Sequence, residues 1–143
     1  MNTPGGNSVS VAEHTFALML AVARSVPQAN ASIHSGKWEK SAFSGTELRG
    51  KTLGLVGLGR IGSEVARRAH AFEMKVLAYD PYVTPAAARE LDVDLVPLEE
   101  LLQRSDVVSL HTALSASTEK IINAAAIAQM KKGAILVNCA RGE

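Results

Sequence analysis

The sequence predicts an α/β fold built around a doubly wound parallel sheet. Short apolar runs typical of strands alternate with segments in which apolar residues recur every three or four positions, as on one face of a helix. A glycine-rich motif, Gly57-Leu58-Gly59-Arg60-Ile61-Gly62, joins one such strand to the helix after it. Strands that alternate with helices are joined by right-handed crossovers and pair in parallel.

Composition indicates one globular domain. The chain has 143 residues, of which 47% are hydrophobic and 20% charged. A formal net charge of +1 gives no electrostatic reason to expect a nucleic acid or an anionic membrane as partner. The single cysteine, Cys139, excludes an intrachain disulfide, and no metal site is predicted. We expect a cytoplasmic protein, because the sequence starts without a secretory signal and its longest apolar run is too short to span a bilayer.

The N-terminal part predicts a long apolar helix. Residues 2–8 have the composition of a loop. Ser10-Val11-Ala12-Glu13 fits a capping box, so we expect a helix from there to about Arg24. Its apolar residues lie on nearly every face and are Phe16, Leu18, Met19, Leu20 and Val22. Such a helix is either buried or part of an interface.

The remaining elements are predicted from proline and glycine positions and from apolar periodicity. Pro27 is expected to kink the first helix and Gly36 to end it, and residues 36–50 are expected to form a surface connection. Strands are predicted at 52–57, 75–79, 94–96, 106–111 and 134–138. Helices are predicted at 61–72, 85–91, 98–104 and 124–130.

The glycine motif and Asp80 together predict a Rossmann-type dinucleotide site. Gly57 permits the tight turn, Gly59 lets a pyrophosphate approach the backbone, and Gly62 allows close packing of the helix. Asp80 comes at the end of the next strand, where a carboxylate accepts hydrogen bonds from ribose hydroxyls and repels a 2′-phosphate. NAD is therefore favoured over NADP. The alternatives are a glycine turn without a ligand and an aspartate that only shapes the turn before Pro81.

A strand order of 3-2-1-4-5 would put the ligand crevice between Gly57 and the segment His111-Thr112. Thr112 is then expected to face the cofactor. Arg141, after the last strand, could clamp a carboxylate and polarise a carbonyl, or could be an ordinary surface charge. Among the histidines, His111 is the best placed for chemistry, although it would lie beside the dinucleotide rather than beyond Arg141.

Other chemistry-bearing residues have simpler interpretations. His14 and His34 fall on the predicted first helix and His70 on the helix after the glycine motif, and single histidines on helices are usually structural. The pair Lys131-Lys132 is expected to be a solvated helix end. Cys139 is expected to be a packed residue whose backbone matters more than its thiol.

These motifs together resemble the D-2-hydroxyacid dehydrogenase family over essentially the whole chain. The segments that carry the resemblance are residues 2–8, 36–39, 45–54, 57–62, 79–81, 111–112 and 138–142. The resemblance implies that Arg60 and Ile61 meet the pyrophosphate of NAD and Asp80 the adenosine ribose. It also implies that Thr112, Cys139 and Ala140 line the nicotinamide half, and that Arg141 is the catalytic arginine.

The resemblance also implies that the chain is part of a larger enzyme. In the family, a histidine that exchanges the proton and a glutamate that tunes it follow the arginine, and a substrate-binding half precedes the cofactor domain. We therefore expect residues 1–143 to be an incomplete NAD-binding domain, inactive alone, whose parent acts on a 2-hydroxy acid. A homo-oligomer through the first helix is expected as well. Departures from the family pattern are Glu73, Ala113 and Glu143, where glycine, proline and glycine are usual.

Two other functions stay open at this point. One is a non-enzymatic NAD-sensing module similar to the C-terminal-binding-protein corepressors, which share the fold. The motifs in residues 36–54 favour the enzyme. The other is an adenosylhomocysteinase-like protein, which shares the glycine motif but does not account for residues 138–142.

Overall fold

A five-stranded sheet forms the centre of the chain, which is described over residues 6–142 by a computed structural model. Its strands are β1 (Thr52–Val56), β2 (Lys75–Tyr79), β3 (Asp94–Leu95), β4 (Val107–Leu110) and β5 (Ile135–Asn138). All neighbouring strands are parallel, in the order β3-β2-β1-β4-β5. The predicted doubly wound, Rossmann-type sheet is confirmed, and its strands have the order that would place the ligand crevice between Gly57 and His111-Thr112.

Six helices and one short 3₁₀ turn connect and cover these strands in the described residues. They are α1 (Ser8–Ala23), α2 (Val26–His34), the 3₁₀ turn Lys40–Phe43, α3 (Arg60–Ala71), α4 (Pro85–Glu90), α5 (Leu98–Arg104) and α6 (Ala124–Gln129). The predicted strands and helices from residue 52 onward are all present, with ends that differ by one residue at most. The expected surface connection over 36–50 is mostly exposed, except that Leu48 is buried in the core.

The sheet is covered on both faces, as parallel sheets require. On one face, α1 and α3 pack together over the buried side chains of Met19, Leu53, Leu55 and Val65. On the other face, α5 and α6 cover Val56 and Val108. Side chains alternate along β1, so Leu55 and Val56 enter different cores. The central strand β1 is therefore buried from both sides, which fixes the position of the turn that follows it.

The first helix begins earlier than the sequence predicts. The expected capping box at Ser10–Glu13 is wrong, because α1 begins at Ser8 and the amide of Val11 already donates to the carbonyl of Asn7 at 2.9 Å. Ser10 therefore lies inside the first turn, and the capping residue Asn7 makes no side-chain capping bond. Of the predicted loop, residues 2–5 lie outside the described residues.

The expected kink near Pro27 is a complete break. Ser25 adopts φ 51°, α2 begins at Val26 with Pro27 in its first turn, and the two helix axes differ by 63°. His34 consequently lies on α2 and not on the first helix as predicted. No single helix among residues 6–142 is long and apolar enough to cross a membrane. Only the bent pair of α1 and α2, taken together, has that length and composition.

Candidate functional site

The turn after β1 is shaped by two glycines that no other residue could replace without strain. Gly57 has φ +98°, and a Cβ atom there would lie 2.9 Å from the carbonyl oxygen of His111. A Cβ on Gly62 would lie 2.3 Å from the carbonyl oxygen of Gly57, so α3 starts in direct contact with the turn. These are the two roles that the motif predicts for these glycines.

The middle glycine, by contrast, faces open space. A Cβ added to Gly59 would meet no atom within 4 Å, so a ligand can approach this backbone. Gly59 is also the residue that caps α3, and the exposed Arg60 follows it. The first turn of α3 carries no acidic side chain that would compete for its free amides. The geometry thus fits an anion such as a pyrophosphate at the start of α3.

Ile61 contributes to this turn differently from its neighbour. Its side chain is half-buried and packs against the core beneath α1 and α3. Only its backbone amide is therefore available to a ligand, whereas Arg60 could also offer its guanidinium. The predicted contact of both residues with a pyrophosphate stays a prediction.

Asp80 is held at the end of β2 by backbone amides. One carboxylate oxygen accepts a hydrogen bond from the amide of Leu58, inside the glycine turn, at 2.8 Å, and the other accepts one from the amide of Tyr82 at 2.9 Å. Asp80 therefore shapes the turn before Pro81, the simpler of the two interpretations offered by the sequence. Each carboxylate oxygen has a second lone pair, so the residue can still accept hydrogen bonds from ribose hydroxyls.

A cavity of about 450 Å³ opens between these groups at the carboxyl ends of β1, β2 and β4. Its walls include Gly57, Gly59, Asp80, His111 and Thr112. β1 and β4 pair directly, with Val56 opposite Leu110, so this cavity stands where the strand order reverses. Open α/β sheets bind their ligands at this place.

A second, smaller cavity of about 90 Å³ adjoins the first and contains the residues after β5. Thr112 lines both cavities, while Asn138, Ala140 and Arg141 line only the smaller one. The Asn138 side chain accepts a hydrogen bond from the Ala140 amide at 2.9 Å and donates one to the Arg141 carbonyl at 2.8 Å. Asn138 thereby fixes the turn that presents Arg141, a role that sequence reasoning missed although asparagine is a known turn residue.

Cys139 is half-buried and packs against the core between the sheet and α1, as expected. Its side chain therefore contributes to packing, and its backbone forms part of the turn between Asn138 and Ala140.

His111 directly follows β4, and burial perturbs its imidazole. Its Nε2 lies 2.9 Å from the hydroxyl oxygen of the buried Ser109, and its Nδ1 has no hydrogen-bond partner among residues 6–142. Burial lowers the pKa of His111 from 6.5 to about 4. The imidazole is therefore neutral near pH 7 and has no proton to give as an imidazolium acid.

The other predicted groups lie away from this cleft. His70 on α3 pairs with the carbonyl of Leu91 at 2.8 Å, and His14 is exposed on α1. Lys131 is not simply solvated as predicted, because its ammonium contacts a carboxylate oxygen of Asp106 at 2.9 Å. Within residues 6–142, no three His, Cys, Asp or Glu side chains are grouped so that they could hold a metal ion.

Comparison with known proteins identifies the family. The family described as D-isomer specific 2-hydroxyacid dehydrogenase, NAD binding domain, matches residues 16–143. A curated relative, D-3-phosphoglycerate dehydrogenase of Bacillus subtilis, is 49% identical over 142 residues, which cover 99% of this chain and 27% of the relative. The chain thus spans about a quarter of the length of that relative.

Solved structures agree with this relationship. D-lactate dehydrogenase of Escherichia coli without ligand superposes with a TM-score of 0.91 at 36% identity, covering 98% of this chain and 44% of that one. D-lactate dehydrogenase of Aquifex aeolicus, solved with NAD and lactic acid, gives 0.87 at 40% identity, covering 93% and 40%.

The chain belongs to the family of NAD-binding domains of D-isomer specific 2-hydroxyacid dehydrogenases. Its cofactor is NAD. The residues present fit that group: an open Gly59 at a helix start, an acidic Asp80 after the next strand, and His111 in the lining of the cleft, whose buried Nδ1 has no partner among residues 6–142.

Proposed function

We propose that the chain is the cofactor-binding part of an NAD-dependent oxidoreductase acting on the CH–OH group of a D-2-hydroxy acid. One observation carries the proposal. Thr112 forms a common wall between the large cleft, which contains the glycine turn and Asp80, and the small cavity, which contains Arg141. A dinucleotide that enters along the glycine turn would therefore have its far end directed toward an arginine. Arginine is the side chain best suited to a planar carboxylate.

The residues of the chain divide the work. The amides at the start of α3 bind the pyrophosphate, and Asp80 selects the unphosphorylated ribose. Bound NAD supplies a hydride acceptor at its nicotinamide. Arg141 holds the carboxylate of the substrate and polarises the carbonyl that forms at its second carbon. His111 lies beside the cofactor and its pKa of about 4 makes it a weak base, so another group of the complete enzyme is proposed to accept the proton of the hydroxyl.

The proposed substrate of the parent enzyme is D-3-phosphoglycerate, and its proposed place is serine biosynthesis in the cytoplasm. Support for this substrate comes from the curated relatives: those from Bacillus subtilis, Archaeoglobus fulgidus and human are all D-3-phosphoglycerate dehydrogenases, at 49–51% identity. The single cysteine of the sequence supports the proposed compartment.

A chimera tests the proposal. The matching segment of the Bacillus subtilis enzyme is replaced by this chain, and oxidation of D-3-phosphoglycerate and D-lactate is followed through NADH absorbance. We expect turnover of D-3-phosphoglycerate that falls by at least a hundredfold in Arg141→Ala. Arg89→Ala, which removes an exposed guanidinium on α4 outside both cavities, is expected to retain most of the turnover. A folded chimera that binds NADH but oxidises neither acid would contradict the proposal.

The isolated 143-residue polypeptide is the second control. It supplies Arg141 but, by the family resemblance, not the proton-exchanging histidine, and general acid–base catalysis contributes typically 10²–10⁴-fold. We expect it to bind NADH and to show no oxidation of D-3-phosphoglycerate. Turnover that disappears in Arg141→Ala would show that residues of this chain replace the missing base.

The protein is further proposed to self-associate through its N-terminal helices. Exposed large apolar side chains on α1 and α2 are Val9, Leu18, Val22, Val26 and Ile33. Exposed apolar side chains on one helix face are typical of an interface, and Leu18 and Val22 share a face of α1 because they are four residues apart. A second copy of the same surface, related by a twofold axis, would cover it.

A further inference from the structure

Among the described residues of the cleft, His111 has a buried side-chain nitrogen with no hydrogen-bond partner. His111 is one of the residues that line the large cavity, together with Gly57 and Thr112. The backbone around it is firmly held, because its amide donates to the carbonyl of Val56 at 2.8 Å. Yet Nδ1 is buried and has no partner among residues 6–142. Buried polar atoms in folded proteins nearly always have a partner, so this atom requires an explanation.

The partner of Nε2 determines which proton the ring carries. Ser109 is fully buried, and among residues 6–142 its hydroxyl is hydrogen-bonded to Nε2 of His111. If the hydroxyl donates to Nε2, the ring proton resides on Nδ1, and one group is left unpaired. If Nε2–H donates instead, both the hydroxyl hydrogen and the Nδ1 lone pair are left unpaired. The first arrangement leaves fewer unpaired groups, so the unpartnered atom is a donor, Nδ1–H.

We propose that His111 is a cofactor-binding residue that stays uncharged, and that its Nδ1–H donates a hydrogen bond to an oxygen of the dinucleotide. The inference rests on NAD binding in this cleft. Nδ1 is buried while His111 as a residue lines the cavity, so the proposal includes a rotation of the ring that exposes Nδ1 to the bound dinucleotide. The acceptor is an oxygen of the pyrophosphate or of the ribose beyond it, since Asp80 occupies the adenosine end.

Two substitutions separate this role from a purely structural one. Asparagine places an amide nitrogen near the position of Nδ1 and loses the contact with Ser109. Glutamine places its amide near the position of Nε2, keeps that contact and loses the Nδ1 donor. If His111 serves the cofactor, His111→Asn retains NADH affinity and His111→Gln weakens it roughly fivefold to tenfold, the range of one hydrogen bond. If His111 only anchors the end of β4 to Ser109, the order is reversed.

Ligand fragments give the matched control. Titrations with NADH, ADP-ribose and AMP are monitored by calorimetry on the 143-residue chain and both variants. His111→Gln is expected to weaken NADH and ADP-ribose, which carry the pyrophosphate and the second ribose, and to leave AMP unchanged. Equal NADH affinity in His111→Gln and the unmutated chain would overturn the inference. No binding of NADH or AMP to the unmutated chain would instead contradict the proposed function.

Nitrogen NMR of the imidazole tests the same point without any substitution. In the unmutated chain we expect a protonated Nδ1 and an unprotonated Nε2 at pH 7, and a shift of the Nδ1 signal when NADH is added. His70 is the internal control, because its ring is hydrogen-bonded to Leu91 and lies outside the cleft. An Nδ1 signal of His111 that does not move at NADH saturation, or moves no more than that of His70, would overturn the inference.

Discussion

Glu73 has a backbone conformation that normally favours glycine. It joins α3 to β2 with φ 56°, and its carboxylate pairs with Arg49 at 2.8 Å while both side chains remain mostly exposed. The left-handed conformation costs a non-glycine residue about 1–2 kcal/mol, whereas an exposed ion pair contributes about 0.2–1 kcal/mol. The family resemblance, which places glycine here, therefore marks a residue under strain.

We expect Glu73→Gly to raise the free energy of unfolding by up to about 1 kcal/mol, because it relieves this strain. Glu73→Ala is the matched control, since it removes the ion pair and keeps the strain. Urea unfolding of the three proteins gives the comparison. A glycine variant that is less stable than the alanine variant would show that the strain argument is wrong.

Single residues were predictable where their role depends on local sequence. The positions of Gly57, Gly62 and Asp80 followed from spacing alone. The hydrogen bond from the Leu58 amide to Asp80 did not, because it joins residues 22 positions apart and depends on how the turn folds back. The ion pair of Lys131 with Asp106 was missed for the same reason, since it spans 25 positions.

At the scale of elements, Asp106 ties together the amino ends of three strands. Asp106 itself directly precedes β4. It accepts a hydrogen bond from the amide of Thr52, at the start of β1, at 2.8 Å. Its carboxylate also pairs with Lys131, in the turn before β5. Burial raises the pKa of Asp106, but the hydrogen bonds from Thr52 and Lys131 outweigh burial and hold it below its ordinary value. A carboxyl whose pKa is lower in the folded than in the unfolded state stabilises the fold at pH values above the unfolded-state pKa. This stabilisation is lost as the pH falls through the unfolded-state and then the folded-state pKa.

Asp106→Asn is therefore expected to lower the free energy of unfolding by about 1–2 kcal/mol at pH 7. The difference from the unmutated chain is expected to shrink as the pH falls from about 5 to below 4, because the native carboxyl then becomes protonated as well. Asp94→Asn is the control, as Asp94 is exposed on β3. A difference that persists unchanged at acidic pH would contradict the ionic role of Asp106.

The surface of α1 predicts self-association. Val22 is 60% exposed on α1, although the helix also supplies the fully buried Met19. Val22→Glu is expected to convert a dimer to a monomer in sedimentation velocity, since it buries an unpaired charge in the interface. Ile127→Glu, at a similarly exposed apolar position on α6, is expected to leave the mass unchanged. An unmutated chain that sediments as a monomer at high concentration would contradict the predicted interface.

Element types were predictable from periodicity, and element ends were less so. Strand β2 and helix α5 have the predicted bounds, because apolar spacing there is unambiguous. The predicted start of α1 was wrong by two residues, because the prediction relied on the capping side chains of Ser10 and Glu13. The observed start depends instead on the backbone hydrogen bond from the Val11 amide to the Asn7 carbonyl. The break before Pro27 depends on Ser25, whose left-handed conformation has no marker in the sequence.

At the scale of the whole molecule, topology followed from a simple rule. Right-handed crossovers between alternating strands and helices leave few possible orders, and the observed order β3-β2-β1-β4-β5 places the ligand cleft between β1 and β4. What the rule could not give is the connection between the two cavities. That depends on where Thr112 and the Asn138 turn meet, which only the folded chain defines.

The central claim, an NAD site that excludes the 2′-phosphate through Asp80, is tested most directly by titrating the 143-residue chain with NADH and NADPH. We expect tighter binding of NADH, and we expect Asp80→Ala to narrow the preference by about 1–3 kcal/mol, the range for hydrogen bonds to a charged group. The ratio of the two affinities is compared, because the substitution also removes the contacts with Leu58 and Tyr82 and weakens both ligands. Equal affinities of the unmutated chain for NADH and NADPH would contradict the claim.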